Sequence, residues 1–249
     1  MPEVINENIT LYQNEGSLAY GTDAYLLSAY MRRQTKERAC EFGAGSGVIS
    51  LLTAARGNFS HITALEIQEN IAAIAARNVE INGFSEKIDV ICRDIREKDH
   101  AMNGAFGVVF SNPPYMTATS GKLGKNDADS ASRHELNGGI DDFADAAARL
   151  LKYGGLFYVV YRPDRLAELL CACKLHQLEP KRMTLVYPTE NHVPCLVLLE
   201  TKKNGAPGIF VTKPLIIYRS GKPQTNDNYT DDMKYIYENG AFHELYQRL

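Results

Sequence analysis

The sequence predicts an α/β fold, doubly wound, with helices on both faces of a mostly parallel sheet whose last strand is antiparallel. Three observations predict it. Short apolar runs alternate with helix-period stretches from about residue 22 to 200, which is the pattern of strand–helix–strand units. A glycine cluster, Gly43, Gly45 and Gly47, sits where one apolar run gives way to a helical one. The final two apolar runs are separated by too few residues for a crossover of roughly a dozen, so they must run antiparallel.

The elements follow in order. Thr22 and Asp23 are both able to cap a first helix whose apolar face is Leu26, Leu27, Tyr30 and Met31. The strand RACEF (38–42) comes next. A helix with Val48, Leu51, Leu52 and Ala55 on one face follows, ended by Gly57. HITALEI (61–67) is a strand. Ile71, Ile74, Ala75 and Val79 mark a helix that stops near Asn82 and Gly83. KIDVICR (87–93) and AFGVVFS (105–111) are strands. Phe143, Ala146, Ala147 and Leu150 define a helix closed by Gly154 and Gly155, before the strand LFYVVY (156–161). Pro163 starts a helix carrying Leu166, Leu169, Leu170 and Cys173. RMTLVY (182–187) and CLVLLE (195–200) complete about seven strands.

One domain is expected over 1–249, with a core at 22–201. Residues 116–139 are polar, without periodicity, and read as a mobile flap. Residues 202–249 read as a C-terminal appendage in which KPLIIY is a short strand and the tyrosine-rich end a helix.

Composition narrows the function classes. Of 249 residues, 45% are hydrophobic and 23% charged, which suits a chain able to bury its own core. The net charge of -3 argues against a large phosphate footprint. The basic residues fall in small groups (Arg32, Arg33, Lys36, Arg38; Lys122, Lys125; Lys181, Arg182; Lys202, Lys203) that read as solvated surface, with the flap and tail groups the best candidates for contacting a polyanion. Five cysteines without regular spacing imply thiols and no zinc. Cys40, Cys92 and Cys195 read as buried, and Cys171 and Cys173 as facing different sides of one helix. The N-terminus MPEVINENITLYQNEG is polar, with no signal-peptide pattern, and no run approaches the ~20 apolar residues of a membrane helix. A cytoplasmic monomer with no metal and no membrane contact is expected.

The chemistry concentrates at four strand ends. The glycines permit a ligand to press against the backbone, where a helix N-terminus offers free N–H groups. A dinucleotide fingerprint would space its third glycine one residue later. Glu41, two residues before the first glycine, would repel a pyrophosphate and suit a cationic amino group. Glu66, 19 residues after Gly47, is placed to bind ribose hydroxyls. Asp94 ends the next strand and is able to accept from an adenine amino group. Asn112-Pro113-Pro114-Tyr115 follows the fourth strand. The Asn112 side-chain oxygen and the Pro113 carbonyl can each take one N–H of a planar amine and direct its emerging lone pair. Proline holds its carbonyl rigidly. Tyr115 offers a face for stacking, worth roughly 1–3 kcal/mol per base.

EFGAGSG, ALEIQ and CRDIRE, in that order, resemble the cofactor motifs of class I methyltransferases, a Rossmann-like family that uses S-adenosylmethionine. The resemblance implies cofactor contacts from Glu41, Gly43, Gly45, Gly47, Glu66, Ile67, Asp94, Ile95 and Asn112. NPPY resembles the motif of amino-methyltransferases acting on adenine N6, guanine N2 or the glutamine side chain, and does not choose among them. GTDAYLLSAY (21–30), SRHE (132–135) and PLIIYRSGKPQTNDNYTDDM (214–233) resemble the bacterial tRNA adenine-N6 methyltransferases that modify the anticodon loop of valine tRNA. That resemblance implies tRNA as partner, places Thr22 and Asp23 beside the cofactor's methionine end, and makes Arg133 and His134 candidates for substrate contact. A glutamine-N5 methyltransferase of release factors, an rRNA guanine-N2 methyltransferase and a cofactor-binding RNA chaperone without turnover remain open.

Overall fold

A computed structural model describes residues 2–6, 9–12, 21–113 and 138–247. A hairpin opens the chain, with β1 (Pro2–Asn6) antiparallel to β2 (Ile9–Tyr12). There follow α1 (Thr22–Tyr30), β3 (Gln34–Phe42), α2 (Val48–Ala55), β4 (Phe59–Glu66), α3 (Glu69–Ile81), β5 (Ile88–Cys92) and β6 (Phe106–Ser111). The second half contains α4 (Ile140–Leu150), β7 (Leu151–Tyr161), α5 (Leu166–Leu175), β8 (Leu178–Tyr187), β9 (Leu196–Lys203), β10 (Phe210–Val211), β11 (Leu215–Ile216) and α6 (Asp231–Asn239).

Among the described residues, nine strands form the main sheet, in the order β10-β8-β9-β7-β6-β3-β4-β5, with β11 also on β8. All seven expected core strands are in it; β11 is the short strand expected in KPLIIY, and β10 is a further two-residue strand of the appendage. Only β9 runs against its neighbours, being antiparallel to both β7 and β8. Side chains alternate between two cores, as the strand period requires. Val108 and Phe110 of β6 and Tyr158 and Val160 of β7 pack on the face covered by α1 and α2. Val109 and Phe157, Val159 and Tyr161 pack on the face covered by α4 and α5.

Several local expectations are corrected. Gly154 and Gly155 do not close α4; the helix ends at Leu150 and the chain turns directly into β7. The glycines instead carry an irregularity in the β6–β7 register between Phe106 and Val108. Gly154 has φ +73°, and a Cβ on Gly155 would lie 3.1 Å from the Gly107 carbonyl oxygen. Pro163 starts a 3-10 turn that leads into α5 rather than the helix itself. β3 begins four residues before RACEF, because its first half is polar and only its second half is buried. The hairpin was not expected, since its second strand alternates over only four residues. Cys92 and Cys195 are exposed, while Cys40 and Cys173 are buried and Cys171 is exposed. Arg182 is no surface residue: it is 1% exposed and ion-paired to the buried Glu200 at 2.9 Å.

The hairpin is seated by a ladder that uses a helix as its partner. Asn78 on α3 exchanges hydrogen bonds with the backbone of Tyr12, and Asn82, the C-cap of α3, with that of Thr10. Residues i and i+4 of one helix face thus meet residues i and i+2 of one strand edge.

Candidate active site

Sheet register brings the motifs together. Phe42 pairs with Ser111 and also with Leu65, and Glu66 pairs with Cys92. The residues that leave these strands next are Gly43, Asn112, Ile67 and Arg93. Ser111 Oγ donates to the Phe42 carbonyl at 2.9 Å, fixing the two chain exits side by side. β3 has β4 on one side and β6 on the other. The site therefore lies at the carboxyl ends of strands, where the winding direction reverses and open α/β sheets bind ligands.

A cavity of about 300 Å³ occupies this position, lined by Gly43, Gly45, Glu66, Ile67, Asp94, Ile95 and Asn112, and also by Leu65, Gln68, Arg93 and Phe143. The first seven were expected from the sequence. Phe143 was not; it comes from α4, and only its helix period was legible.

The glycine loop has the required backbone. Gly43 and Gly45 have φ +65° and +55°, and a Cβ on either would meet nothing within 4 Å. Both backbones therefore border open space in a conformation that disfavours side chains. Gly47 (φ +81°) is the N-cap of α2 and lies against Ala75 of α3, away from the cavity.

Glu66 is 6% exposed. It accepts the Gly45 N–H at 2.9 Å on one oxygen and the Gln68 N–H at 3.0 Å on the other. These two bonds hold the carboxylate against the loop with lone pairs remaining on each oxygen. Asp94 is engaged by Arg96, whose Nε lies 2.9 Å from Oδ1 and whose backbone N–H donates to the same atom. Those hydrogen bonds hold its carboxyl below the usual carboxylate range. A ligand amine must therefore share Asp94 with Arg96.

Glu41 does not line the cavity, contrary to expectation. It is 1% exposed and turned to α2, where its Oε2 accepts the Ser50 N–H at 3.1 Å and the Ser50 hydroxyl. Gly47 has no side chain to cap α2, and Glu41 satisfies one of the helix's orphan N–H groups from the strand behind. Burial pushes its carboxyl up to about 8, against the hydrogen bonds from Ser50.

Asp23 does not cap α1 either. Gly21 is the N-cap, without a side-chain hydrogen bond, and Thr22 is the first helical residue. The Asp23 Oδ2 accepts from Asn112 Nδ2 at 2.9 Å. Pro113 is buried. Pro114, Tyr115, Arg133, His134 and nearly all of the flap lie outside the described residues. Among the described residues no group of His, Cys, Asp and Glu is arranged to hold a metal ion, and no helix is long and apolar enough to cross a membrane.

Known proteins resemble this chain in sequence and fold. A family model described as methyltransferase small domain matches residues 15–179. The tRNA1(Val) (adenine(37)-N6)-methyltransferase of Phocaeicola vulgatus is 30% identical over 196 residues, covering 79% of this chain and 82% of the relative. The enzyme of that name from Dyadobacter fermentans is 24% identical, covering 93% of this chain and 95% of the relative. A solved structure of a predicted O-methyltransferase from Agrobacterium tumefaciens has a TM-score of 0.72 at 22% identity, covering 89% of this chain and 98% of that one. A geranyl diphosphate methyltransferase solved with its cofactor has a TM-score of 0.53 at 13% identity, covering 72% of this chain and 83% of that one. These two structures share the fold. With the match across most of its length, the chain belongs to the methyltransferase small domain family, alongside the tRNA1(Val) adenine-N6 methyltransferases.

Proposed function

We propose that the protein transfers a methyl group from S-adenosylmethionine to the N6 amine of an adenine in the anticodon loop of valine tRNA. The observation that carries this reading is Asn112 at the mouth of the cofactor cavity, its amide oriented by Asp23. The relatives named above supply the substrate class.

The cavity fits the cofactor. Open space over Gly43 and Gly45 admits a ligand against the loop. Glu66 is held where ribose hydroxyls can donate to its remaining lone pairs, and Ile67, Ile95 and Phe143 provide apolar walls for a flat ring. Thr22 and Asp23 stand at the end of α1 nearest Asn112. When bound, the cofactor supplies an electrophilic methyl on a sulfonium. The protein then has to present a poor nucleophile. The amine lone pair of adenine is delocalised into the ring, and two acceptors on its N–H bonds favour the pyramidal form. Asn112 Oδ1 and the Pro113 carbonyl are those acceptors. Asn112 Nδ2 is committed to Asp23, so Oδ1 is the end of the amide that a substrate N–H requires. No base need act before transfer, because the proton becomes acidic once the methyl is attached. Tyr115 is assigned to stacking on the base, with Pro114 stiffening the turn, and Arg133 and His134 to substrate contact. The reading includes one domain, a monomer acting in the cytoplasm, and no metal.

Transfer of tritiated methyl to a panel of bulk tRNA, rRNA, release factor and DNA tests this, with nucleoside analysis of the product. N6-methyladenosine in tRNA is expected. Label confined to release factor, or N2-methylguanosine in rRNA, would replace the reading.

A further inference from the structure

A second cavity, of about 440 Å³, lies at the opposite end of α1 from Asn112. Nine residues of helix separate the two, a rise of about 13 Å. Four arginines line it: Arg32 and Arg33 just after α1, Arg56 at the end of α2, and Arg182 on β8. The sequence scatters them over 150 positions; only the fold brings them together.

One carboxylate answers them. Glu200 pairs with Arg32 at 3.1 Å and with Arg182 at 2.9 Å. Among the described residues, neither Arg33 nor Arg56 has an acidic partner. The half-buried Arg56 lies over the Tyr25 ring at 5.1 Å and donates to Ser28 Oγ at 3.0 Å. Arg33 Nε donates to the Gly57 carbonyl at 3.2 Å. Gly240 is a glycine of necessity, since φ is +60° and a Cβ would lie 2.3 Å from Arg56 Nε. The backbone is thus shaped to admit that guanidinium.

Part of this charge has a structural duty. α1, α2 and α6 all end at the cavity, and Arg182 donates to the carbonyls of Tyr30 and Tyr246. Each helix end contributes roughly half a negative charge, which with Glu200 still leaves an excess of about one to two positive charges. Arg182 Nε is buried with no hydrogen-bond partner among the described residues. Asn58, Asn239 and Gln247 add amide groups to the wall. A half-buried cation without counter-charge, as Arg56 is, is costly, and guanidinium forks match phosphate oxygens.

We propose that this cavity is a phosphate-binding site, separate from the methyl-transfer site, that takes either a backbone phosphate of the tRNA or a small free phosphate compound. Only the tRNA source rests on the function proposed above.

The test has two arms and two variants. Arg33→Ala removes an exposed arginine, and Ala241→Glu sets a carboxylate at the exposed rim without deleting any arginine. In the first arm, inorganic pyrophosphate is titrated against the full chain by calorimetry and thermal shift, at constant ionic strength. The wild type is expected to bind, and both variants to bind at least tenfold more weakly. In the second arm, the variants are assayed for transfer to tRNA. A KM for tRNA raised at least fivefold, at unchanged kcat and unchanged cofactor affinity, with the salt slope reduced by about one, assigns the site to the tRNA backbone. Pyrophosphate binding with unaltered tRNA kinetics assigns it to a free phosphate compound. No difference between wild type and variants in either arm overturns the proposal. If tRNA is not the substrate, the second arm yields no transfer even for the wild type, and the first arm alone decides.

Discussion

Asp23 Oδ2 accepts the Nδ2–H of Asn112 at 2.9 Å, across 89 positions of sequence. This bond sets which way the Asn112 amide faces. Asp23→Ala removes a charged hydrogen bond, worth roughly 1.5–3 kcal/mol, so kcat should fall by about 10- to 100-fold. Asp23→Asn keeps an acceptor and should retain more activity than Asp23→Ala. Steady-state kinetics with saturating cofactor check this; an Asp23→Ala enzyme with wild-type kcat would mean that Asp23 does not orient the amide.

Glu66 serves the cofactor loop twice, by accepting from Gly45 and Gln68 and by facing the cavity. Glu66→Ala should weaken S-adenosylmethionine binding by roughly 10- to 1000-fold, from the loss of one to two charged hydrogen bonds worth about 1.5–2 kcal/mol each. Calorimetric titration reads it, and a loss below threefold contradicts the assignment.

Glu41 should make stability depend on pH. Its folded carboxyl is raised from 4.5 to about 8, so between those values the folded state holds a proton that the unfolded state releases. Stability from that proton is complete below 4.5, falls as pH rises, and is gone above about 8, with a slope of at most about 1.4 kcal/mol per pH unit. Thermal melts of the wild type and Glu41→Gln from pH 6 to 9 should show the wild type losing ground to the variant up to pH 8. A pH-independent difference would place the ionisation elsewhere.

Asn78 ties the hairpin to the cofactor loop. Its Nδ2 donates to Tyr12 O at 3.1 Å and to Ser46 O at 2.9 Å, and its Oδ1 accepts from Tyr12 N at 2.7 Å. Asn78→Asp retains the acceptor and loses both donations. Hydrogen exchange should show faster exchange at β2, with a several-fold weaker cofactor affinity. Weaker hairpin protection with unchanged affinity would show that the Ser46 contact does not shape the loop.

Much of the site was legible in the sequence because strand ends converge in this topology. Once β3, β4, β5 and β6 are assigned, Gly43, Glu66, Asp94 and Asn112 must lie at one edge. The sequence does not reveal which way a strand-end side chain turns. Glu41 sits at the expected edge yet faces α2, because the glycine N-cap leaves a donor there to satisfy. The partners of a carboxylate were equally hidden. Asp94 is claimed by a neighbour two residues away, and Asp23 by a residue from a distant strand. Gly154 and Gly155 carry the same composition as a helix stop, but the Gly107 backbone beside them makes them a strand irregularity. The four-arginine cavity was invisible for a related reason. Arg32 and Arg33 read as one surface group and Arg182 as part of another until the ends of three helices assemble around them.

The most direct measurement is single-turnover methyl transfer to valine tRNA by Asn112→Ala, with cofactor affinity determined on the same preparation. Loss of transfer by at least a hundredfold, with cofactor affinity within about threefold of wild type, is the predicted result. Transfer at the wild-type rate would contradict the amide-and-carbonyl grip on the amine, and loss of cofactor binding in proportion to transfer would make Asn112 a cofactor residue only.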